Sequence, residues 1–351
     1  MYLSDISQTV FYNVTFRNNT AFASGGGIMI AVSAHAYMSD CLFEQNQSSA
    51  KGGAIVLINR AQCDVNNTVI TSCHASSGGA VYATDTSIPT FYNCDITKNT
   101  ATSRGGAFYI SSRARINIYG TAVEDNQALG GSGGAAIIQD FASLNTSNSI
   151  YSNNHADEGG AIMIISNNTI VHRVNDCTFS GNTAKSAGGA IFLGSSSLSL
   201  WQSCTCENNV AALRGPGGCI STSSFSLATF VNWTIRGNSA RFGGGIAIRE
   251  SSVVFMSDSR IENNTAQNGG AAFAFNTAVF KCSHVNVSNN FAQSEGGGFV
   301  YSGQSTLKYT NFFNNTAGGN GGGILVAYGL NTPLISNCQF EFVYTCVITF
   351  N

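Results

Sequence analysis

Apolar and polar residues alternate along this chain in runs too short for a helix. Cys41 and Phe43 share one phase while Leu42 and Glu44 share the other, and Cys177 and Phe179 alternate likewise with Thr178 and Ser180. A period of two places successive side chains on opposite faces of a strand. A second run follows each Gly pair, as in Ala54-Ile55-Val56-Leu57 and Ala190-Ile191-Phe192-Leu193. A third appears in Ser197-Leu198-Ser199-Leu200 and Val253-Val254-Phe255-Met256. The pattern predicts three short strands and three turns per unit, with no helix.

The unit recurs to the C-terminal end. Its anchor is Asn in 11 of 13 copies: Asn19, Asn46, Asn99, Asn126, Asn154, Asn182, Asn209, Asn238, Asn264, Asn290 and Asn315, with Cys73 and Val343 at the other two. The steps run from 25 to 29 residues and average 27. The residue three before the anchor is apolar in all 13, Ala stands two after it in 11, and a Gly pair follows in each of the first 12. Ankyrin and tetratricopeptide repeats require helices, and propeller blades are longer. An all-strand unit of this length fits one coil of a parallel β-helix. The expectation is an all-β, right-handed parallel β-helix (solenoid) of about 13 coils of about 27 residues, with 1–351 as a single domain.

Each motif residue then has an expected task. Asn tolerates unusual turn angles, and its amide both donates and accepts, so stacked anchors form an internal Asn ladder. The Gly pair supplies backbone angles closed to other residues and lets successive coils, about 4.8 Å apart, approach with no Cβ between them.

The paired signatures carry a resemblance. Phe179-Ser180-Gly181-Asn182 with Gly188-Gly189-Ala190-Ile191, and Phe43-Glu44-Gln45-Asn46 with Gly52-Gly53-Ala54-Ile55, resemble the Phe-x-x-Asn and Gly-Gly-Ala-Ile repeats of the chlamydial polymorphic outer-membrane proteins. Similar repeats occur in surface or secreted proteins of microbial eukaryotes. The likeness runs from about Phe11 to the end. It implies a surface-displayed β-helical passenger, in chlamydiae an adhesin exported by an autotransporter route. The alternating strands of a C-terminal membrane barrel and the capping segments that close solenoid ends are not seen, so the chain is expected to be an uncapped piece of a longer protein.

Composition narrows the chemistry. With 43% hydrophobic and 10% charged residues, the chain is not a charge-rich disordered one. Its 16 basic and 18 acidic residues do not cluster, which argues against nucleic-acid partners. No run of 18 apolar residues suggests a membrane span. Polysaccharide lyases and hydrolases need several carboxylates, with basic groups or a metal, gathered on adjacent coils. Asp40, Asp176 and Asp258 share a phase but lie several coils apart, and no group of three functional residues converges by phase. Arg17 with Glu44, and Glu207, Arg236 and Glu262, are expected to pair between coils as surface ladders. The five His share no phase, so no catalytic residue is expected.

The 11 Cys lack zinc-site spacing, and no metal or cofactor is expected. Cys41, Cys94, Cys177, Cys204 and Cys338 all fall five residues before an anchor, in the inward phase, and read chiefly as small buried residues. Cys177 and Cys204 occupy adjacent coils and are the first disulfide candidate, with Cys204 and Cys206 the second. Of ten Asn-x-Ser/Thr sequons, the one at Asn46 falls on the ladder, whereas Asn13, Asn232 and Asn286 fall in outward phase and are candidate glycosylation sites.

The outward residue of the strand after each Gly pair is also mostly apolar: Met29, Val56, Tyr82, Tyr109, Ile137, Met163, Phe192, Phe273, Val300 and Leu325. A bare stripe of this kind exceeds what a monomer normally exposes. It is expected to bind other protein chains or domains, as are the open coil ends. The function expected is a non-enzymatic extracellular or cell-surface rod, an adhesin meeting a host or neighbouring-cell surface or a component of a surface assembly or filament. The alternative is a carbohydrate-active β-helix enzyme.

Overall fold

The structure, a computed structural model, describes residues 1–166, 170–212, 215–326 and 333–343. These residues form strands and turns with no helix, wound as a right-handed parallel β-helix of about 12 turns. The thirteenth expected coil, anchored at Val343, runs into residues outside those described. The chain falls into two compact units, Met1–Thr178 and Phe179–Asn351.

A coil of the first unit shows the plan. Strands Ile55–Leu57, Gln62–Asn66, Val69–Thr71 and His74–Ser77 follow one another, and each pairs in parallel with its counterpart one coil on. Ile55 lies beside Val81, Gln62 beside Ile88, Val69 beside Asp95 and His74 beside Thr100. This coil thus has four strands, one more than the alternation predicts; in two coils of the second unit the second and third merge into Val253–Glu262 and Val279–Ser288. The added strand follows the anchor and is as short as Gln47–Ser48, too brief to display a period. The second and third strands share one sheet and are hinged by a left-handed residue such as Asp40, Asn67 or Asn93, at φ 56°, 46° and 50°. Three sheets therefore enclose the core.

Inward residues stack on their own kind. Phe16 and Phe43 lie with ring centroids 4.6 Å apart and nearly parallel, and Ile28, Ile55, Val81 and Phe108 form a buried column. Each such side chain contributes roughly 1.5–3 kcal/mol relative to exposure. The second unit repeats the plan with Ile191–Gly194, Leu198–Gln202, Thr205–Glu207 and Val210–Ala211. Ile191 pairs with Ile220 and Leu198 with Leu227. Its core holds Trp201, Phe230 and Trp233, the last two meeting edge to face at 5.0 Å. No helix of the described residues is long and apolar enough to cross a membrane.

The second glycine of a corner pair sets how closely coils pack. A Cβ on Gly79 would strike the Gly106 carbonyl oxygen and stand 2.7 Å from the Thr100 backbone nitrogen. Neither obstacle is a side chain that can turn aside. Gly79→Ala is expected to destabilise the fold by about 1–3 kcal/mol or more, as overpacking does, whereas Gly130→Ala, which meets one carbonyl at 3.2 Å, costs much less. Urea denaturation of the two variants checks this, and equal costs would contradict it.

Candidate functional site

The ladder predicted from the anchors is present inside both units. Asn99 Nδ2 donates to Asn126 Oδ1 at 3.0 Å, and Asn126 Nδ2 donates to Asn154 Oδ1 at 3.1 Å. In the second unit Asn209, Asn238, Asn264, Asn290 and Asn315 continue in the same way, at 2.9–3.0 Å. Each Oδ1 also accepts the backbone N–H of the preceding anchor, as Asn126 does from Asn99 at 2.9 Å. The second Nδ2 hydrogen goes to a carbonyl of the previous coil, Ile96 O for Asn126. A buried amide has two donors and two acceptor sites, and here all four are used. One expected detail differs: the left-handed residue is the one before the anchor, Lys98 and Asp125 at φ 55°, rather than the Asn itself. The turn is made next door, leaving the Asn side chain to hold the stack.

The inward Cys positions do more than fill space. Cys41, Cys94, Cys177 and Cys204 each place Sγ 3.1–3.3 Å from the carbonyl oxygen two residues earlier. Thr68, Thr121 and Ser149 do the same with a hydroxyl at 2.9–3.0 Å. Each hydroxyl also accepts the N–H of the coil before, as Thr68 does from Cys41 at 3.2 Å. This is a second, mixed ladder at the other corner, which the periodicity of Cys alone did not reveal.

The disulfide expectation is corrected. Cys206 is joined to Cys219, and neither Cys177 nor Cys204 takes part in a disulfide. Cys206 stands three before its anchor and Cys219 directly after the Gly pair of the same coil. Elsewhere the same two positions pack an apolar side chain on a small residue: a Cβ on Gly245 would lie 3.1 Å from Ile235 Cγ2. The disulfide substitutes a covalent link for that contact. The signal was in the sequence, within one coil rather than between coils.

The exposed apolar stripe is also corrected. Val56, Tyr82, Ile137, Met163, Phe192, Val300 and Leu325 are buried, and Met29, Tyr109 and Phe273 are half-buried, so none of the ten is exposed. The row points outward but is roofed. The first glycine of each corner pair has positive φ, 71° at Gly25 and 57° at Gly52, and turns its loop back over the strand that follows. A Cβ on Gly25 would stand 3.1 Å from Met29 Cβ. Lys51 Nζ lies 4.9 Å from the Tyr82 ring, Gln139 donates to Tyr109 Oη at 2.6 Å, and Tyr82 stacks on Tyr109 at 4.8 Å. The chain's own loops supply the cover that the sequence reading assigned to a partner.

Several carboxylates have structural duties. Glu44 pairs with Arg17 and Glu207 with Arg236, each at 2.6 Å, with Glu262 on the strand beyond Arg236. Asp64 meets His35 at 2.8 Å. Phase did, however, miss one grouping. Asp85, Arg113 and Asp140 line a single cleft of about 460 Å³ in the first unit, with Thr86, Ser112 and the exposed ring of Phe141. Asp85, Ser112 and Asp140 each stand six residues after the second glycine of a pair, a shared position that could have flagged them. Asp85 Oδ2 accepts the Asn59 N–H at 3.0 Å and Asp140 Oδ2 accepts the Ser112 N–H at 3.2 Å. Both carboxylates thus cap left-handed turns one coil back.

His172 is fully buried in the first unit. Its Nδ1 accepts the Leu144 N–H at 3.2 Å, which places the ring proton on Nε2, 2.8 Å from Ser166 Oγ. Burial lowers its pKa to about 4. Burial likewise pushes Cys73 and Cys94 up to about 11, so these thiols are poor nucleophiles. Asn13, Asn232 and Asn286 are exposed, as their phase required, and Asn46 is buried. Among the described residues, no three His, Cys, Asp or Glu side chains are grouped to hold a metal ion.

The geometry defines a solenoid protein whose buried polar groups hold successive coils together. The sequence matches the family of right-handed β-helix regions over residues 2–175 and 169–340, and the chain belongs to that family. No curated protein matches it in sequence. Among solved structures it is similar to the Azotobacter vinelandii mannuronan C-5 epimerase AlgE6 A-module, at 10% identity and a TM-score of 0.36, covering 95% of this chain and 90% of that one.

Two outcomes follow from the buried groups. Cys73 interrupts the ladder: Asn46 Nδ2 has only its sulfur at 4.0 Å where other rungs offer an amide oxygen. Cys73→Asn restores an acceptor for that donor and is expected to raise stability by about 1 kcal/mol, read as a higher urea midpoint; a lower midpoint would contradict the ladder account. For His172 the unfolded chain takes up a proton near pH 6.5 and the folded chain only near pH 4. Its contribution is therefore intact above pH 6.5 and lost progressively as pH falls to about 4, by about 3 kcal/mol. His172→Asn, which keeps an acceptor for Leu144, should flatten stability against pH across that window, and an unchanged profile would refute the assignment.

Proposed function

We propose that this chain is a non-enzymatic binding scaffold of the cell surface or extracellular space, an adhesin or a component of a surface assembly. One observation carries the reading: the buried Asn anchors repeat from coil to coil and are engaged in stacking, whereas the outward sheet positions vary along the stack. In the first unit one outward row reads Val10, Tyr37, Asp64, Thr90, Asn117 and Asn145 in consecutive coils. A regular interior with a varied exterior suits recognition across a broad surface. The Cys206–Cys219 disulfide supports an oxidising compartment, as does exposure of the sequons at Asn13, Asn232 and Asn286. The finer resemblance to chlamydial surface repeats points the same way. With the stripe roofed, partners are proposed to meet the open sheet faces.

A second reading, a carbohydrate-active enzyme, draws on the Asp85–Arg113–Asp140 cleft, which places two carboxylates and a cation together beside an aromatic ring. The engagement of both carboxylates in turn capping makes it the weaker reading. The test is incubation of the full chain with neutral and acidic polysaccharides, following reducing ends and unsaturated products, alongside binding to intact cells. Saturable cell binding without turnover is expected. Turnover that disappears in Asp85→Asn or Asp140→Asn would replace the scaffold reading with the enzymatic one.

A further inference from the structure

Two cations stand together on the outward face of the second unit. Phe255, Lys281 and Thr306 are consecutive in one row across three coils, and Ser257, Ser283 and Lys308 are consecutive in the row two residues along. Both lysines are exposed, as is the Phe255 ring. Lys281 Nζ lies 5.2 Å from the centre of that ring, a cation–π contact that presents charge and apolar surface side by side. These side chains border a shallow cleft of about 270 Å³. Among the described residues neither ammonium is paired with a carboxylate, unlike Arg17 and Arg236. The nearest carboxylate along these strands, Asp258, is itself the left-handed corner residue that follows Ser257.

We propose that this face binds an acidic polysaccharide, with Lys281 and Lys308 meeting its carboxylate or sulfate groups and Phe255 lying against a sugar ring. The inference rests on the scaffold reading and adds a ligand class to it. Charge complementarity requires an anion. The donors do not converge, as a single small anion would need; they are spread along the stack at the strand spacing of about 4.8 Å, which suits an extended chain. The remaining polar groups, Ser257, Ser283 and Thr306, are hydroxyls on a sheet face, where no strand edge is open for a peptide to extend by main-chain hydrogen bonds. A sugar ring offers what this surface lacks: an apolar face for the aromatic ring and hydroxyls around its rim.

The full chain is titrated by calorimetry with heparin as the sulfated probe, polygalacturonate as the carboxylated probe, neutral dextran and poly-glutamate. Lys281→Gln/Lys308→Gln and Phe255→Ala are compared after circular dichroism confirms the native fold. Binding of at least one acidic glycan is expected, weakening with salt, with at least about tenfold loss in either variant, one decade of affinity. Dextran should not bind. Response to heparin alone or to polygalacturonate alone identifies sulfate or carboxylate as the group read. Absence of acidic-glycan binding, undiminished binding in the double lysine variant, or equal binding of poly-glutamate with no effect of Phe255→Ala overturns the proposal. Cell binding that persists in such a case leaves the scaffold reading standing, and its absence in wild type removes that reading as well.

Discussion

Every other feature of this fold depends on holding parallel coils at one spacing while their corners are buried. Strand pairing satisfies the flat faces, and most corner N–H groups still reach a carbonyl of the neighbouring coil. The N–H of the anchor and of the Cys, Ser or Thr position, however, has only a side chain to meet. A buried unpaired group of this kind costs about 1–3 kcal/mol. The Asn ladder answers that cost at one corner in nearly every coil, with four bonds per amide. Cys, Ser and Thr answer it at a second corner, and glycine removes the Cβ that would hold coils apart at the third. A polar interior in register specifies the pairing more tightly than apolar stacking alone, because a slipped coil would strand every amide.

Where the ladder changes residue, the local chemistry changes with it. Cys73 keeps the corner closed but returns a weak acceptor to Asn46. The Cys206–Cys219 link stands where Ile235 elsewhere rests on Gly245, so the coil with the smallest inward side chain at that position is held by a covalent bond. His172 occupies an inward strand position, bonded to the Leu144 N–H and Ser166 Oγ, and is kept neutral by burial.

The fold was legible in the sequence because its determinants recur at a fixed interval: anchor, apolar residue, Ala and Gly pair could be aligned by eye. The exposed sequons, the buried Asn46 and the Arg17–Glu44 pair followed from the same phase. What phase could not supply was contact across a coil or between loops. Cys206 and Cys219 meet across the core, the Asp85–Arg113–Asp140 cleft forms from turns, and the roof over Met29, Val56 and Tyr82 comes from loops whose path depends on the positive φ of Gly25 and Gly52. The strand after the anchor escaped notice because two residues carry no period.

The interior and exterior thus divide the work: a repeated polar frame sets the coils, and variable outward rows, the Lys281–Lys308 face among them, are left for recognition. The frame is the claim on which this rests. Native-state hydrogen exchange resolved to single amides tests it most directly. The backbone N–H groups of Asn99, Asn126, Asn209, Asn238 and Asn264, each donated to the next anchor's side chain, should exchange only through global unfolding, as slowly as the central strand amides. Exchange of these amides at the rate of the exposed turns would show that the ladder does not hold the coils together.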